Sequence, residues 1–186
     1  MTLPAKYTRT AIVLHWLVAL LIFINLVLAF STELFPEERI RLAIDTHKSI
    51  GITVLGLVLM RLLWRLTHQP PPLPQSYPRW ERLTAHAAHA LFYALMLALP
   101  ITGWLHDSAW KAAPEIKMYW FGLFEWPRIG FIMSMEPAAK LPLHALLGEI
   151  HEYLGYGLIG LWVLHVGAAL KHQFIDQHRE LQRMLP

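Results

Sequence analysis

Two histidines in the last hydrophobic segment, His151 and His165, have the residue type and the spacing of metal ligands. Fourteen positions separate them in the run HEYLGYGLIGLWVLH, which has almost no other polar groups. In an α-helix this separation is about 40° short of four turns and about 21 Å of rise, so both imidazoles project from nearly the same face. Ionisable groups in such segments are costly and usually functional, and imidazole is the commonest metal ligand. The spacing therefore suggests two metal centres stacked across a bilayer.

The composition is typical of a membrane protein. Of 186 residues, 55% are hydrophobic and only 16% are charged. The chain contains no cysteine, which excludes disulfides, iron–sulfur clusters, thiolate catalysis and covalent c-type haem attachment. The net charge is +3 and the basic residues flank apolar segments, so we expect contact with membrane lipid and no binding to nucleic acid.

Four apolar segments position these histidines, each with about 20 residues or more, which is enough to cross about 30 Å of hydrocarbon as a helix. We predict an all-α fold, an integral membrane four-helix transmembrane bundle, in a single domain over residues 1–186. The helices are expected at approximately 10–30, 44–66, 83–106 and 143–170. Basic residues concentrate in the N-terminal arm, after the second segment and in the tail, so the positive-inside rule places both termini in the cytoplasm.

Two connections have a distinctive composition. The stretch QPPPLPQSYP, residues 69–78, predicts a stiff, extended linker between the second and third helices. The connection from Asp107 to Pro142 is too polar and too broken to span a membrane. We expect part of it to lie on the outer surface as an amphipathic cap.

Depth in the membrane limits which histidines can share a metal. His15 lies one or two turns inside the cytoplasmic end of the first helix, and His165 lies at the matching depth of the fourth. His47 and His151 both open their helices on the outer side. If the sites face the interior of a four-helix bundle, the expected pairs are His15 with His165 and His47 with His151.

Glycines near the outer pair favour a large, flat ligand. Gly51 and Gly155 follow His47 and His151 by four residues each, so every histidine of this pair has a glycine on the same helix face. A missing side chain one turn from each ligand leaves room for a macrocycle such as a haem, and Gly148 is expected to add to that opening. Each of these glycines is equally consistent with ordinary close helix packing.

A basic residue is available for the carboxylates of such a macrocycle. Arg61 follows His47 by fourteen residues, so it shares the ligand face and reaches the cytoplasmic end of the second helix. There it can meet an anionic haem propionate, or it can snorkel to the membrane surface. Arg9 and Lys171 are weaker candidates for the same role.

The other histidines are expected to have simpler roles. His86 and His89, three residues apart on the third helix, are interpreted as packing or interfacial residues, with contact to a quinone or proton transfer as the alternative. The histidines at helix ends and in connections are expected to be solvated: His68, His106, His144, His172 and His178.

With these residues in place, the chain resembles the bacterial cytochrome b561 family, small four-helix cytochromes of the inner membrane. The resemblance covers nearly the whole chain and rests on six ordered pieces: YTRTAIVLHW, THKSIG, LVLMRLLWRL, HALFYALMLALPITGW, GEIHEYLGYGLIGLWVLH and ALKHQFIDQHRELQRML. It implies two non-covalent haem b groups with axial ligands His15 and His165 on the cytoplasmic side, and His47 and His151 on the periplasmic side. The haem-contacting set is completed by Arg61, Arg9, Gly51 and Gly155.

The resemblance also implies an activity, that of a superoxide:ubiquinone oxidoreductase. Superoxide or a redox protein is the expected donor at the periplasmic side and ubiquinone the expected acceptor, with His89 or Arg61 as guesses for the quinone pocket. One alternative is a membrane-anchoring cytochrome b subunit that links quinone to a soluble dehydrogenase or hydrogenase. A transporter that uses histidines for zinc or protons, and a helical anchor without redox function, are further alternatives. The sequence leaves open whether two chains form a homodimer.

Overall fold

The fold was obtained as a computed structural model, which describes residues 6–73 and 77–185. Four long helices within these ranges are apolar enough to cross a membrane. They are α1 (Arg9–Phe30), α2 (Glu37–Thr67), α3 (Arg79–Ser108) and α5 (Pro137–Leu170), and a single turn, α4 (Gly130–Met133), precedes the last. The predicted all-α, four-helix transmembrane architecture is confirmed.

Three helices begin earlier than the apolar segments do. α2, α3 and α5 start at residues 37, 79 and 137, against predicted starts of 44, 83 and 143. α2 and α3 each start directly after a proline, and their first turns carry glutamates, which interact favourably with the helix N-terminus. α5 starts at Pro137, and proline is favoured at the first helical position. The additional residues of α2 and α3 are rich in charged side chains and those of α5 include two prolines and a lysine, so a search for hydrophobic segments misses them.

The four long helices pack in chain order around a small core. α1 packs on α2, α2 on α3, and α3 on α5. Val18, Val54, Val58 and Met96 are buried where the first three helices meet. Large apolar side chains such as Leu164 are exposed along the outside of the bundle, as expected for a surface that faces lipid.

The end of the bundle nearer His47 and His151, here called the outer end, is covered by a folded connection. A short antiparallel hairpin, β1 (Tyr119–Trp120) and β2 (Phe124–Glu125), turns through Gly122, whose φ of +73° suits glycine. Its backbone N–H at Phe121 donates to the Ser49 hydroxyl of α2 (3.0 Å), and the Trp120 indole donates to Thr53 (3.0 Å). The expected amphipathic cap is therefore a hairpin and the turn α4 in the described chain.

The opposite end, nearer His15 and His165 and here called the inner end, is covered by the C-terminal tail. After α5 the chain makes a π-helical turn, Lys171–Ile175, and later a 3-10 turn, Leu181–Arg183. The buried Arg183 guanidinium donates to the carbonyls of Pro71 and Pro72, both at 2.9 Å. The tail thus binds the proline-rich linker, whose residues 74–76 lie outside the described ranges.

Candidate functional site

The outer histidine pair lies inside the bundle between α2 and α5. The ring centroids of His47 and His151 are 6.1 Å apart, and their planes are inclined by 79°. Nδ1 of His47 donates to the Asn25 carbonyl (3.2 Å), and Nδ1 of His151 donates to the Leu99 carbonyl (3.0 Å). A carbonyl only accepts, so in each ring Nδ1 carries the proton and Nε2 is free to bind a metal.

The inner pair lies between α1 and α5. The centroids of His15 and His165 are 6.4 Å apart, with an inclination of 66°. Aromatic rings surround them, with Trp16 at 5.3 Å from His15 and Phe92 at 5.2 Å from His165. Nδ1 of His15 is buried and has no hydrogen-bond partner among the described residues.

Both spacings fit a metal ion between two opposed imidazoles. A metal–imidazole bond is about 2.0–2.1 Å long and the ring centre lies about 1.1 Å behind the nitrogen, so opposed rings should have centroids about 6.3 Å apart. The observed values of 6.1 and 6.4 Å bracket this distance. Stacked rings in direct contact lie closer, as His106 and His144 do at 3.8 Å.

A large cavity surrounds the outer pair. Its volume is about 800 Å³, within the usual range for small-molecule and cofactor sites. Gly51 and Gly155 line it, and a Cβ on Gly155 would meet no atom within 4 Å although the residue is buried. A side chain there would project into the cavity, so the glycine maintains space for a ligand. The donor set and the space together fit a haem.

The remaining predicted glycine has a different neighbour. Gly148 lies against His106, where a Cβ would come within 3.0 Å of the ring, so the expectation that it opens the ligand site is wrong. The glycine that lies against a histidine of the outer pair is Gly103 of α3, which was not predicted from the sequence. A Cβ on Gly103 would lie 3.1 Å from Cε1 of His151, so this glycine gives the imidazole its position.

Three further residues that sequence reasoning missed support the outer histidines. The acceptors for the ring protons are backbone carbonyls, those of Asn25 and Leu99, which leave no signature in the residue type. Thr102 brings its hydroxyl to 3.2 Å from Nδ1 of His151. Asn25 and Thr102 are polar residues inside apolar spans, and this position is the sequence feature from which their role could have been predicted.

Arg61 lies near the inner pair, as its spacing predicts. Its guanidinium is 5.6 Å from the Tyr93 ring centre, and it lines a cavity of about 160 Å³ with Tyr7, Trp64 and Arg65. Arg9, in contrast, is exposed and makes no ion pair or side-chain hydrogen bond within the described ranges. Of the two, only Arg61 is placed inside the bundle.

The third helix adds a histidine to the inner site. The His89 centroid is 6.1 Å from that of His165, a distance similar to the one that separates His15 and His165. His86, one turn earlier, is exposed. Geometry therefore makes His89 an alternative partner for His165.

Four of the histidines expected to be solvated are partly buried and make specific contacts, so that expectation is wrong for them. His106 and His144 stack, and each Nδ1 donates to the other's carbonyl at 2.9 and 3.0 Å. His172 and His178 lie against Tyr77 in the tail. Burial and then a hydrogen bond to Glu180 raise the pKa of the Tyr77 hydroxyl. Only His68 is exposed as expected, stacked on Trp64.

Charged residues occupy the mouth of the outer cavity. Asp107 is buried between Lys48 (2.5 Å) and Arg128 (2.8 Å), and Lys48 lies 5.7 Å from the Trp110 ring centre. Lys48 and Arg41 both line the cavity. Glu33 and Glu152 also line this cavity, and Asp45 pairs with Arg41 at 2.9 Å, so cations and carboxylates are mixed at this end.

Comparisons with known proteins match the chain over nearly its full length. The family described as prokaryotic cytochrome b561 matches residues 6–186. Cytochrome b561 homolog 2 of Escherichia coli K12 is 34% identical over 98% of this chain and 92% of that protein. Cytochrome b561 homolog 1 of the same organism is 29% identical over 97% of each chain. A probable superoxide oxidase, CybB of Yersinia pestis, is 31% identical over 97% of this chain and 96% of its own.

Proposed function

Because the chain belongs to the prokaryotic cytochrome b561 family, we propose that it binds two b-type haems and transfers electrons across the membrane, oxidising superoxide and reducing ubiquinone. Electron transfer, b-type haem and a bacterial membrane follow from the family and from the four apolar helices. The number of haems, the donor and the acceptor are the proposal. We also propose that residues 1–186 form one domain of this type.

The observation that carries the proposal is the presence of two imidazole pairs at metal-bridging distance, one in each half of the bundle. His47 and His151 would hold the outer group, and His15 and His165 the inner one. A haem held between two imidazoles in this way would supply one-electron transfer without oxygen binding. The chain's own contribution is to fix the rings, exclude water and place charge nearby.

The two ends of the bundle would serve different reactants. Superoxide would be oxidised at the outer end, and the name of the Yersinia pestis relative, a probable superoxide oxidase, supports this donor. At the inner end, the cavity of about 160 Å³ between Arg61, Tyr7 and Tyr93 offers a guanidinium and aromatic rings to a quinone headgroup. Arg61 would reach a propionate of the inner haem from the same position.

The charged residues support a proposed orientation. Arg61, Arg65, Arg79 and Arg82 cluster where α2 ends and α3 begins, with Glu81 as the acidic residue among them. We propose that this end, with both termini, faces the cytoplasm across the inner membrane. The hairpin end then faces the periplasm.

The activity is tested with purified protein, an enzymatic source of superoxide and a soluble ubiquinone analogue. We expect reduction of the analogue that depends on the protein and is abolished by superoxide dismutase. A protein that reduces quinone only from a co-purifying soluble redox partner, and is indifferent to superoxide, would contradict the proposed donor. A protein without haem would contradict the proposal as a whole.

A further inference from the structure

The tail that covers the inner end folds back on itself in a way that gathers side chains. Between Asp176 and His178 the backbone of Gln177 has a φ of +55°, an uncommon conformation for a residue other than glycine. This turn brings the N–H of His178 to the carbonyl of His172, at 2.7 Å. The two imidazoles consequently share one side of the tail, with ring centroids 6.4 Å apart.

Three potential metal ligands converge there. His172, Asp176 and His178 are each partly buried, and one ligand atom from each lies within 4.8 Å of the other two. Nδ1 of His172 is 2.8 Å from a carboxylate oxygen of Asp176. Nδ1 of His178 is buried and has no hydrogen-bond partner in the described chain, so a polar atom is left unpaired where a metal would pair it.

The surroundings hold the ligands in place. Tyr77, from the linker before α3, stacks on His172 at 5.1 Å and lies 5.0 Å from His178. Its hydroxyl donates to Glu180 (2.8 Å), which also pairs with Arg183. Because both rings are packed against the same tyrosine, little side-chain entropy remains to be lost when a metal binds.

Two imidazoles and one carboxylate are a donor set for Zn²⁺ and neighbouring divalent transition metals, with a fourth position left for water. We infer that His172, Asp176 and His178 form a binding site for such a metal, separate from the histidine pairs inside the bundle. The metal would hold the C-terminal tail in its folded-back form, against which Tyr77 of the linker packs. The inference does not depend on the proposed function.

The contact between Lys171 and Asp176 must change when the metal binds. The ammonium of Lys171 is 2.6 Å from the same carboxylate oxygen of Asp176, and it lies 3.8 Å from Glu81. A divalent ion would displace the ammonium from Asp176, and Glu81 is within reach to accept it. Without a metal, the same residues form only a set of ion pairs that stabilises the tail. A metal site and a purely ion-paired cluster therefore differ in whether Zn²⁺ binds.

The test is equilibrium dialysis of the haem-loaded, tag-free protein against Zn²⁺, followed by calorimetric titration. We expect the wild type to bind one more Zn²⁺ per chain than His178→Ala or His172→Ala does. His68→Ala, which removes an exposed histidine outside the cluster, is the matched control and should bind as the wild type does. Equal Zn²⁺ binding by the wild type and His178→Ala, or no saturable binding by the wild type, would overturn the inference.

A second measurement needs no variant. Zinc-edge X-ray absorption of the wild type with one equivalent of Zn²⁺ should show two imidazole scatterers and additional oxygen. A spectrum with oxygen ligands alone would overturn the site even if Zn²⁺ binds. The haem content should be the same in every variant that folds, which separates failure of this site from failure of the haem proposal.

Discussion

The outer and inner halves of the bundle hold similar pairs of histidines by different means. In the outer half, His47 and His151 each donate a hydrogen bond to a backbone carbonyl and face a cavity of about 800 Å³. In the inner half, His15 and His165 are surrounded by aromatic rings, and Nδ1 of His15 is unpartnered in the described chain. The orientation of the imidazole rings is therefore set by hydrogen bonds in the outer half of the bundle and by packing in the inner half.

This difference has a consequence for the reduction potentials. A hydrogen bond from an imidazole N–H to a carbonyl makes the ligand more basic and favours the oxidised metal. A positively charged guanidinium near the inner pair, such as that of Arg61, favours the reduced metal. We expect the inner haem to have the higher potential, which would direct electrons from the outer side to the inner side.

The largest expected effect comes from removing a ligand. His165→Ala should lower the haem content from two to one per chain, with loss of the inner haem. Pyridine haemochrome assay against protein concentration measures this ratio. His89→Ala is the matched variant, because its ring is as close to His165 as that of His15 is. If His89→Ala loses a haem while His15→Ala keeps two, the inner pair is wrongly assigned.

The next effect concerns the outer cavity alone. Gly155→Leu would place a side chain in the space that surrounds His47 and His151, so we expect loss of the outer haem and retention of the inner one. Gly157→Leu is the control, since Gly157 is on the same helix, is exposed and has open space around it. Full haem loading of Gly155→Leu, measured by the same assay, would show that the cavity is not the haem site.

A smaller effect should distinguish the two halves electrostatically. Arg61→Leu should lower the inner potential by tens of millivolts, because one charge about 10 Å away at an effective dielectric constant of about 20 contributes about 1.7 kcal/mol. Arg61→Lys keeps the positive charge and should shift the potential of the inner haem less. Potentiometric titration followed at the α band measures both haems. An equal shift of the two potentials would contradict the placement of Arg61.

The smallest effect is expected at the support of His151. Gly103→Ala would place a Cβ 3.1 Å from the ring, which must then move by a few tenths of an ångström. The hydrogen bond to Leu99 would weaken, and the outer potential should change while the inner one does not. If only the potential of the inner haem changes, the assignment of His151 to the outer haem is contradicted.

The sequence predicts the parts of the fold that depend on local chemistry. Hydropathy locates the four spans, and the fourteen-residue spacing of His151 and His165 follows from helix geometry. The features that the sequence did not predict depend on contacts between segments that are distant along the chain. His106 and His144 pair only because α3 and α5 meet at their ends, and His172 and His178 are buried only because the tail folds on Tyr77.

The most direct test of two bis-histidine haems is spectroscopy of the purified wild type. The pyridine haemochrome should give two b-type haems per chain. Electron paramagnetic resonance of the oxidised protein should show low-spin iron only, and the reduced protein should not bind carbon monoxide, because both axial positions of each iron are occupied. A single haem per chain, a high-spin signal or a carbon monoxide adduct would contradict the account.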